Sequence, residues 1–492
     1  MSQKAIVIGS GFAGLSAATF LSKYGWQVDV IEKHNQAGGR CRHFKTEGFT
    51  FDMGPSWYWM PDVFERYFAQ FNKKVEDYYR LLRLDPSYRI YWDKDHMDVP
   101  ADYAALKQLF ESLEPGAGEQ LDAFMKEAEY KYRVGINKLV FKPGQSLLEF
   151  MDFELILGLF KLDVFRDIKA HIAKYFQHPK IRQMMEFPVL FLGALPENTP
   201  ALYSLMNYAD IKLGTWFPEG GMYKIVEGMQ KLAEEQGVKF HFNSNVNSVI
   251  VENGVAKGVS IDGAAPVYAD VVIGAADYHF IETKLLEAQY RSYTEKYWDE
   301  RVMAPGCLIF YVGTSCKIPG LLHHSLFFDV PFNEHAKEIY TTPSWPKEPL
   351  FYLSATSVTD PSQAPSNGEN LFFLMPIAAG LDGDDEKVRA HYFEILCDRL
   401  KDRTGVDIRE HLVYKRAYCN ADFIADYNAF KGNAYGLANT LMQTAILKPS
   451  CKSKKVKNLY YTGQLTVPGP GVPPSLISGE VIAGLVNKEV KN

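Results

Sequence analysis

The sequence predicts an α/β fold, in which buried parallel strands alternate with helices. Residues 4–8 form a short β-branched run, typical of a strand buried on both faces, and a helical pattern follows through Lys23. A second apolar run at residues 28–31 comes soon enough to complete a β–α–β unit. A third run of the same kind occupies residues 270–275. Together these runs predict a parallel sheet built from separated segments of the chain.

The remaining elements follow from periodicity and turn signals. Between residues 65 and 210 the pattern is mainly helical. The turn at residues 252–254 joins two alternating runs, which is typical of a β-hairpin. Further strands are predicted near residues 307–312, 326–330, 350–354, 370–376 and 458–462, and further helices at 220–236, 384–400 and 475–486.

Composition sets the outer limits of function. The 492 residues, 47% hydrophobic and 23% charged, are ordinary for a globular protein. The net charge of −6 gives no general attraction to nucleic acid. The aromatic content of 14% either lines a large apolar cavity or packs in the core. The six cysteines show no metal-ligand spacing, and glycines interrupt the N-terminal apolar run, so we expect a reducing compartment, no signal peptide and no transmembrane helix.

A glycine-rich turn separates the first strand from the first helix. Gly9, Gly11 and Gly14 form the pattern G-x-G-x-x-G. The first glycine permits a tight turn, the second lets a pyrophosphate approach the backbone, and the third permits close packing of helix on strand. Glu32, at the end of the second strand, is placed to accept hydrogen bonds from ribose hydroxyls. This combination predicts a dinucleotide site.

A second glycine pair follows the second strand. Gly38 and Gly39 let the backbone pass close to an extended cofactor, and Arg40 can reach the diphosphate of that cofactor. The alternative is a surface loop with an unrelated arginine. The segment from Glu32 to Arg40 resembles the FAD-binding extension of the amine-oxidase-like flavoproteins.

Three further motifs make the resemblance more specific. They are Phe-Asp-Met-Gly-Pro-Ser at residues 51–56, Gly-Thr-Trp-Phe-Pro-Glu-Gly-Gly-Met at residues 214–222, and the glycine- and proline-rich stretch at residues 458–479. In this order they resemble the bacterial-type phytoene desaturase family. The resemblance implies FAD as cofactor and an enzyme that introduces C=C bonds into a membrane-dissolved carotenoid by hydride transfer to flavin. Both hydroxycarotenoid 3,4-desaturation and phytoene-type desaturation fit it.

The glycine pattern and the resemblance together assign the cofactor-binding residues. Because the flavin accepts the electrons, we expect no catalytic side chain and no metal. Arg166 lies where the family has an arginine in its substrate region, and either positions substrate or forms a surface ion pair. Asp277 either touches FAD or caps a helix. The assigned cofactor-binding residues are Gly9, Gly11, Phe12, Ala13, Gly14, Glu32, Lys33, Gly39, Arg40, Gly54, Pro55, Ser56, Val246, Gly463, Gly471, Val472 and Pro473.

The resemblance also implies a domain organisation. It comprises a Rossmann-type FAD-binding domain in discontinuous segments, a mixed-sheet substrate domain and a helical, membrane-proximal insert. The expected boundaries are 1–65, 215–285 and 440–492 for the FAD-binding domain, 66–110 and 286–439 for the substrate-binding domain, and 111–214 for the insert.

Carotenoids dissolve in bilayers, so the resemblance implies a peripheral protein on the cytoplasmic side of a membrane. We expect oxygen or a quinone as electron acceptor. Residues 153–165 are predicted to be either an interfacial helix or a core helix. The basic cluster of Lys452, Lys454, Lys455 and Lys457 either meets anionic headgroups or forms a solvated turn.

Other functions stay open at this point. A redox-neutral carotenoid isomerase or a saturase on the same fold would use the same motifs. A non-enzymatic isoprenoid-binding carrier related to GDP-dissociation inhibitors would keep the fold without flavin. Amine oxidation is disfavoured because the C-terminal motif shows neither an aromatic cage nor a flavin-linking cysteine.

Overall fold

The computed structural model describes residues 3–146, 149, 166–190 and 195–490. The predicted α/β fold class is confirmed. Residues 153–165, predicted to be either an interfacial helix or a core helix, lie outside the described residues. Among the helices of the described part, none is long and apolar enough to cross a bilayer.

The strands run in chain order as follows: β1 (Lys4–Ile8), β2 (Gln27–Ile31), β3 (His43–Thr46), β4 (Phe49–Asp52), β5 (Leu81–Arg83), β6 (Tyr88–Tyr91), β7 (His96–Val99), β8 (Trp216–Pro218), β9 (Lys239–His241), β10 (Val246–Glu252), β11 (Val255–Ile261), β12 (Val267–Tyr268), β13 (Val271–Gly274), β14 (Gly306–Thr314), β15 (His324–Phe327), β16 (Phe351–Ser354), β17 (Glu369–Ile377), β18 (Leu412–Tyr418) and β19 (Leu459–Tyr461).

The α-helices run in chain order as follows: α1 (Phe12–Lys23), α2 (Pro61–Ala69), α3 (Tyr103–Leu113), α4 (Ala117–Val134), α5 (Ile168–Ile172), α6 (Pro179–Leu190), α7 (Leu205–Tyr208), α8 (Tyr223–Glu235), α9 (Tyr278–Phe280), α10 (Glu295–Asp299), α11 (Phe332–Tyr340), α12 (Glu386–Thr404), α13 (Asn420–Tyr427) and α14 (Val472–Val490). Short 3-10 and π-helical turns connect several of them.

The first sheet is parallel and has the strand order β19-β13-β1-β2-β9. Its strands come from three separated parts of the chain, residues 4–31, 239–274 and 459–461. The exact domain boundaries given above stay predictions. Alternate residues of β1 enter different cores: Ala5 and Val7 pack with α1 and α14, and Ile6 and Ile8 pack with β10 and β11. Coverage of both faces explains the continuous apolar run.

The second sheet is mixed, with the order β18-β14-β17-β16-β15-β6-β7, and only its β15–β6 pairing is parallel. On β14, Leu308 and Phe310 pack in the same core as residues of α12. Cys307 and Ile309, on the opposite face, line a cavity between the two sheets. Strand alternation therefore gives this sheet one face for its own core and one face for the site.

The structure departs from the sequence pattern in two places. Between residues 65 and 210 the described chain is mainly helical, as predicted, but β5, β6 and β7 occupy residues 81–99. Strands of three or four residues are too short to show a clear alternation in sequence. The last helix begins at Val472 and not at residue 475, because Pro473 and Pro474 are tolerated in a first helical turn, where no intrahelical N–H donor is needed.

Helices α1 and α14 pack so closely that a glycine is required between them. A Cβ atom built on Gly479 would lie 2.3 Å from the carbonyl oxygen of Ala13 and 2.7 Å from the amide nitrogen of Ala17. Gly484, on the same helix, has no atom within 4 Å of its Cβ position. One helix therefore carries a tightly packed glycine and an unhindered one.

Gly479→Ala is expected to lower the free energy of unfolding by about 1–3 kcal/mol, because backbone atoms cannot move aside as a flexible side chain can. Gly484→Ala, the matched control, should raise it by about 0.5–1 kcal/mol through helix propensity. Thermal and denaturant unfolding would measure both. Equal effects of the two substitutions would contradict the packing argument.

Candidate functional site

A cavity of about 470 Å³ lies between the two sheets. One end is formed by the carboxyl ends of the parallel strands, including Ile8, Ile31 and Ala275 next to β13. The other end is formed by the inner face of the mixed sheet and by α11. This is the place where open α/β sheets bind their ligands.

The glycine-rich turn closes the first end of the cavity. Gly9 adopts a φ of +99°, which favours glycine, and a Cβ atom on Gly14 would lie 2.1 Å from the Gly9 carbonyl oxygen. Gly14 is not among the residues that line the cavity. Its role is the close packing of α1 on the turn, while Gly11, Phe12 and Ala13 line the cavity at the helix N-terminus.

The second glycine pair lies against the first. Gly39 has a φ of +55°, and its Cβ position is 3.2 Å from the Cα atom of Gly11. A Cβ atom on Gly54 would meet the Arg40 carbonyl oxygen at 2.5 Å. Three backbone segments are thus held together without intervening side chains. A methyl group added at Gly39 or Gly54 would push these backbone segments of the cavity wall apart.

Glu32 is buried at the end of β2 and fixed by three donors. Its Oε2 accepts the N–H of Ser10 at 2.8 Å and the Ser10 hydroxyl at 2.7 Å, and its Oε1 accepts the N–H of His34 at 2.9 Å. A carboxylate offers about four lone-pair sites, so one acceptor site is left for a ligand hydroxyl. The sequence motif did not single out Ser10, although it lies inside the motif.

Arg40 supplies positive charge to the cavity. Its Nη2 donates to the Asn433 carbonyl oxygen at 3.2 Å, and its guanidinium lies 5.1 Å from the centre of the Tyr427 ring. Its Nε is buried without a hydrogen-bond partner, and no carboxylate of the described residues pairs with it. Burial lowers the pKa of Arg40, and the carboxylate of Asp277 opposes that shift. An anion bound here would satisfy the unpaired donor.

Asp277 caps a helix. Its Oδ1 accepts the N–H of Phe280 at 3.1 Å, at the start of α9, and its Oδ2 accepts the N–H of Phe430 at 3.2 Å. It also lies in the cavity wall, so the two alternatives from the sequence are compatible. Tyr427 has no sequence signal at all, because only the fold brings it to Arg40.

The C-terminal motif forms the facing wall. Gly463, with a φ of +114°, follows β19 and donates its N–H to the Oγ of Ser478 at 3.0 Å. Gly471, with a φ of +113°, precedes the N-terminus of α14, where Val472 and Pro473 line the cavity. Two helix N-termini, those of α1 and α14, therefore border one space.

The part of the cavity beside the mixed sheet is lined by aromatic side chains. They include Trp57, Trp59, Phe187, Phe328, Phe332 and Tyr435. Such a wall excludes water and suits a hydrocarbon. The aromatic excess of the sequence thus serves both the core and this cavity.

With two exceptions, the residues assigned from the sequence line this one cavity. That they contact the cofactor stays a prediction. The exceptions are Gly14, which packs behind the turn, and Arg166, which is exposed and is not among the described lining residues. Sequence reasoning missed Ser10, Asn245 and Tyr427, which also line the cavity.

The residues fit FAD. Glycine contacts hold the backbone open for a diphosphate, the orphaned Nε of Arg40 needs an anion, and Glu32 keeps an acceptor for ribose. The model of the family described as flavin-containing amine oxidoreductase matches residues 12–486. The chain belongs to this family, and the prediction of an FAD-dependent oxidoreductase is confirmed.

Within that family the chain belongs with the carotenoid desaturases. It is 41% identical over 488 residues to the carotenoid 3,4-desaturase of Haloarcula japonica, covering 98% of each chain. It is 32% identical to the zeta-carotene-forming phytoene desaturase of Myxococcus xanthus, covering 98% of this chain and 93% of that protein. A solved oxidoreductase from Methanosarcina mazei, 15% identical, shares the fold with a TM-score of 0.62 over 98% of this chain and 99% of that chain.

Arg40→Ala is expected to raise the Kd for FAD by about 10- to 100-fold, because a hydrogen-bonded charge contact is worth about 1.5–3 kcal/mol. Titration of the apoprotein, followed by quenching of flavin fluorescence, would measure it. Lys45→Ala, which removes an exposed positive charge on the neighbouring β3, is the control and should change the Kd less than about twofold. An unchanged Kd for Arg40→Ala would exclude this residue from the diphosphate site.

Proposed function

We propose that the protein is an FAD-dependent desaturase that introduces C=C bonds into a carotenoid by hydride transfer to the flavin. The observation that carries this proposal is the continuity of the cavity from the glycine-lined end to the aromatic end. The relative of 41% identity favours 3,4-desaturation over phytoene-type desaturation.

The aromatic end supports the proposal because the described residues that line this part of the first cavity include no ionised side chain. His335 is the titratable ring there, and its Nδ1 accepts the N–H of Leu350 at 2.9 Å while its Nε2 donates to the Pro376 carbonyl at 2.8 Å. Burial lowers the pKa of His335 to about 4, so the ring is neutral at neutral pH. Burial also raises the pKa of Tyr340 and Tyr435.

A neutral wall suits hydride removal from a hydrocarbon. FAD supplies the two-electron acceptor for this chemistry when bound. The protein positions the substrate and excludes water. Trp57, Phe187 and Phe328 confine an extended hydrocarbon, and the described lining of this end adds no ionised side chain that would bring water with it. Positioning of this kind lowers the barrier by restricting the reacting C–C bond to one geometry.

The other functions are not favoured. The two relatives described above, each matching 98% of this chain, are desaturases, whereas an isomerase, a saturase or a lipid carrier would need a different use of the same cavity. Net reduction of the flavin by substrate separates a desaturase from each of these alternatives.

Anaerobic visible spectroscopy tests the proposal. Vesicles containing a carotenoid should bleach the oxidised-flavin band of the FAD-loaded protein, and the extract should contain a product with a longer conjugated system. Oxygen or a quinone added afterwards should restore the band, which tests the proposed acceptor. An intact flavin band together with altered isomers in the extract would establish the redox-neutral alternative instead.

Ala336→Phe separates the aromatic end from the flavin end. Ala336 on α11 is buried and lines the cavity. The added ring should slow flavin reduction by about tenfold or more while FAD binding is kept, because it fills space that substrate needs. Lys337→Phe places the same ring on the exposed side of α11 and serves as the control.

We also propose that the protein acts as a peripheral protein at the cytoplasmic face of a membrane. The free thiols of all six cysteines favour a reducing compartment. Met442 and Leu447, on one loop, are 70% and 45% exposed, which provides apolar side chains for lipid contact. The basic cluster contributes less, since Lys452 pairs with Glu489 at 2.6 Å and Lys455 donates to the Gln289 carbonyl at 3.1 Å.

The double substitution Met442→Asp and Leu447→Asp is expected to weaken vesicle binding by about tenfold or more, because burial of each large apolar side chain contributes about 1.5–3 kcal/mol. Co-sedimentation with vesicles would measure it. Tyr268→Asp alters a side chain that is 58% exposed on β12 and should leave binding unchanged. Equal binding by all three proteins would remove the loop from the membrane contact.

A further inference from the structure

A second cavity, of about 260 Å³, adjoins the first. The side chains of Phe187, Phe328 and Phe332 line both cavities, so the two spaces are separated only by aromatic rings. The remaining walls of the second cavity are mostly polar and include Gln183 and Glu186. We call this space the polar chamber.

One helix supplies both kinds of wall. Gln183, Glu186 and Phe187 lie on α6 at positions i, i+3 and i+4, which places them on one face of the helix. Phe187 lines both the first cavity and the polar chamber, while the two polar residues line the chamber alone. A long apolar molecule that passes Phe187 would therefore reach two hydrogen-bonding groups.

The carboxyl group of Glu186 has no partner in the described part of the chain. It is half-buried, and no hydrogen bond or ion pair to it occurs among those residues. Burial raises the pKa of Glu186 to about 7. A ligand hydroxyl that hydrogen-bonds to this carboxyl group would supply the partner that the described residues do not.

The amide of Gln183 is oriented by a neighbour. Its Oε1 accepts the indole N–H of Trp92 at 2.5 Å, which leaves the NH₂ group as the donor available to the chamber. Gln183 and Glu186 together offer a donor and an acceptor. A hydroxyl group needs this pair, since it donates one hydrogen bond and accepts others.

We propose that Glu186 and Gln183 bind a hydroxyl group at the end of the carotenoid and so determine substrate specificity. This proposal rests on the proposed function and adds the end group to it. Lys169 also lines the chamber, so a charged end group of either sign would meet one like and one unlike charge there, and the net attraction would be small. A neutral hydroxyl satisfies both polar side chains and meets no like charge.

The test compares two substrates, lycopene and lycopene hydrated to an alcohol at one end. Anaerobic flavin-reduction rates at several concentrations give kcat/KM for each. The wild-type protein should prefer the alcohol, and Glu186→Ala should lower kcat/KM for the alcohol by about 10- to 100-fold while that for lycopene stays within about threefold. Gln183→Leu should lower the same preference by a smaller factor.

Two variants guard against a merely structural effect. Glu186→Gln can still donate and accept, so it should keep most of the preference that Glu186→Ala loses. Glu334→Ala removes an exposed carboxylate that pairs with Lys337 at 2.9 Å on α11 and does not line the chamber, so it should match wild type.

An unchanged preference ratio in Glu186→Ala overturns the proposal while the desaturase function stands. Failure of either substrate to reduce wild-type flavin overturns the proposed function and this proposal together.

Discussion

Direct backbone contact around α1 is the constraint on which the rest of the structure depends. Gly14 lets the first turn of α1 rest on the carbonyl of Gly9, and Gly479 lets α14 rest on the carbonyl of Ala13. The helix is thus held between the turn that follows β1 and the last helix of the chain. Its N-terminus, together with that of α14, is therefore fixed at the carboxyl edge of the parallel sheet, where the cavity opens.

Electrostatics divides the cavity into two chemical environments. At the glycine-lined end, Arg40 is a cation that has a buried Nε without a hydrogen-bond partner and forms no ion pair among the described residues, and Glu32 is a carboxylate oriented by three donors. At the aromatic end, His335 is kept neutral by burial, which outweighs the opposing effect on its pKa of the hydrogen bond to the Pro376 carbonyl. A charged cofactor and an uncharged hydrocarbon can therefore share one space, each in the surroundings that solvate it best.

The sequence predicted the first environment much better than the second. Gly9, Gly11 and Gly39 act through backbone conformations that are local, so their spacing alone reveals the turn. The aromatic wall is assembled from side chains distant in sequence, such as Trp57 and Tyr435, and no local pattern marks them. The same reason hid Tyr427, and short strand length hid β6 and β7.

This difference explains why the cofactor is easier to infer than the substrate. Backbone contacts at glycine tolerate no side chain, so the flavin end admits few sequences. The substrate end is set by rotamers on α6 and α11, where a change from Phe187 or Ala336 alters the shape of the cavity without touching the turn. Specificity for an end group then depends on the few polar side-chain atoms of the polar chamber, beyond the aromatic rings. Glu186, half-buried at the far side of Phe187, is the position where one side chain can change which carotenoid is accepted while the flavin environment stays the same.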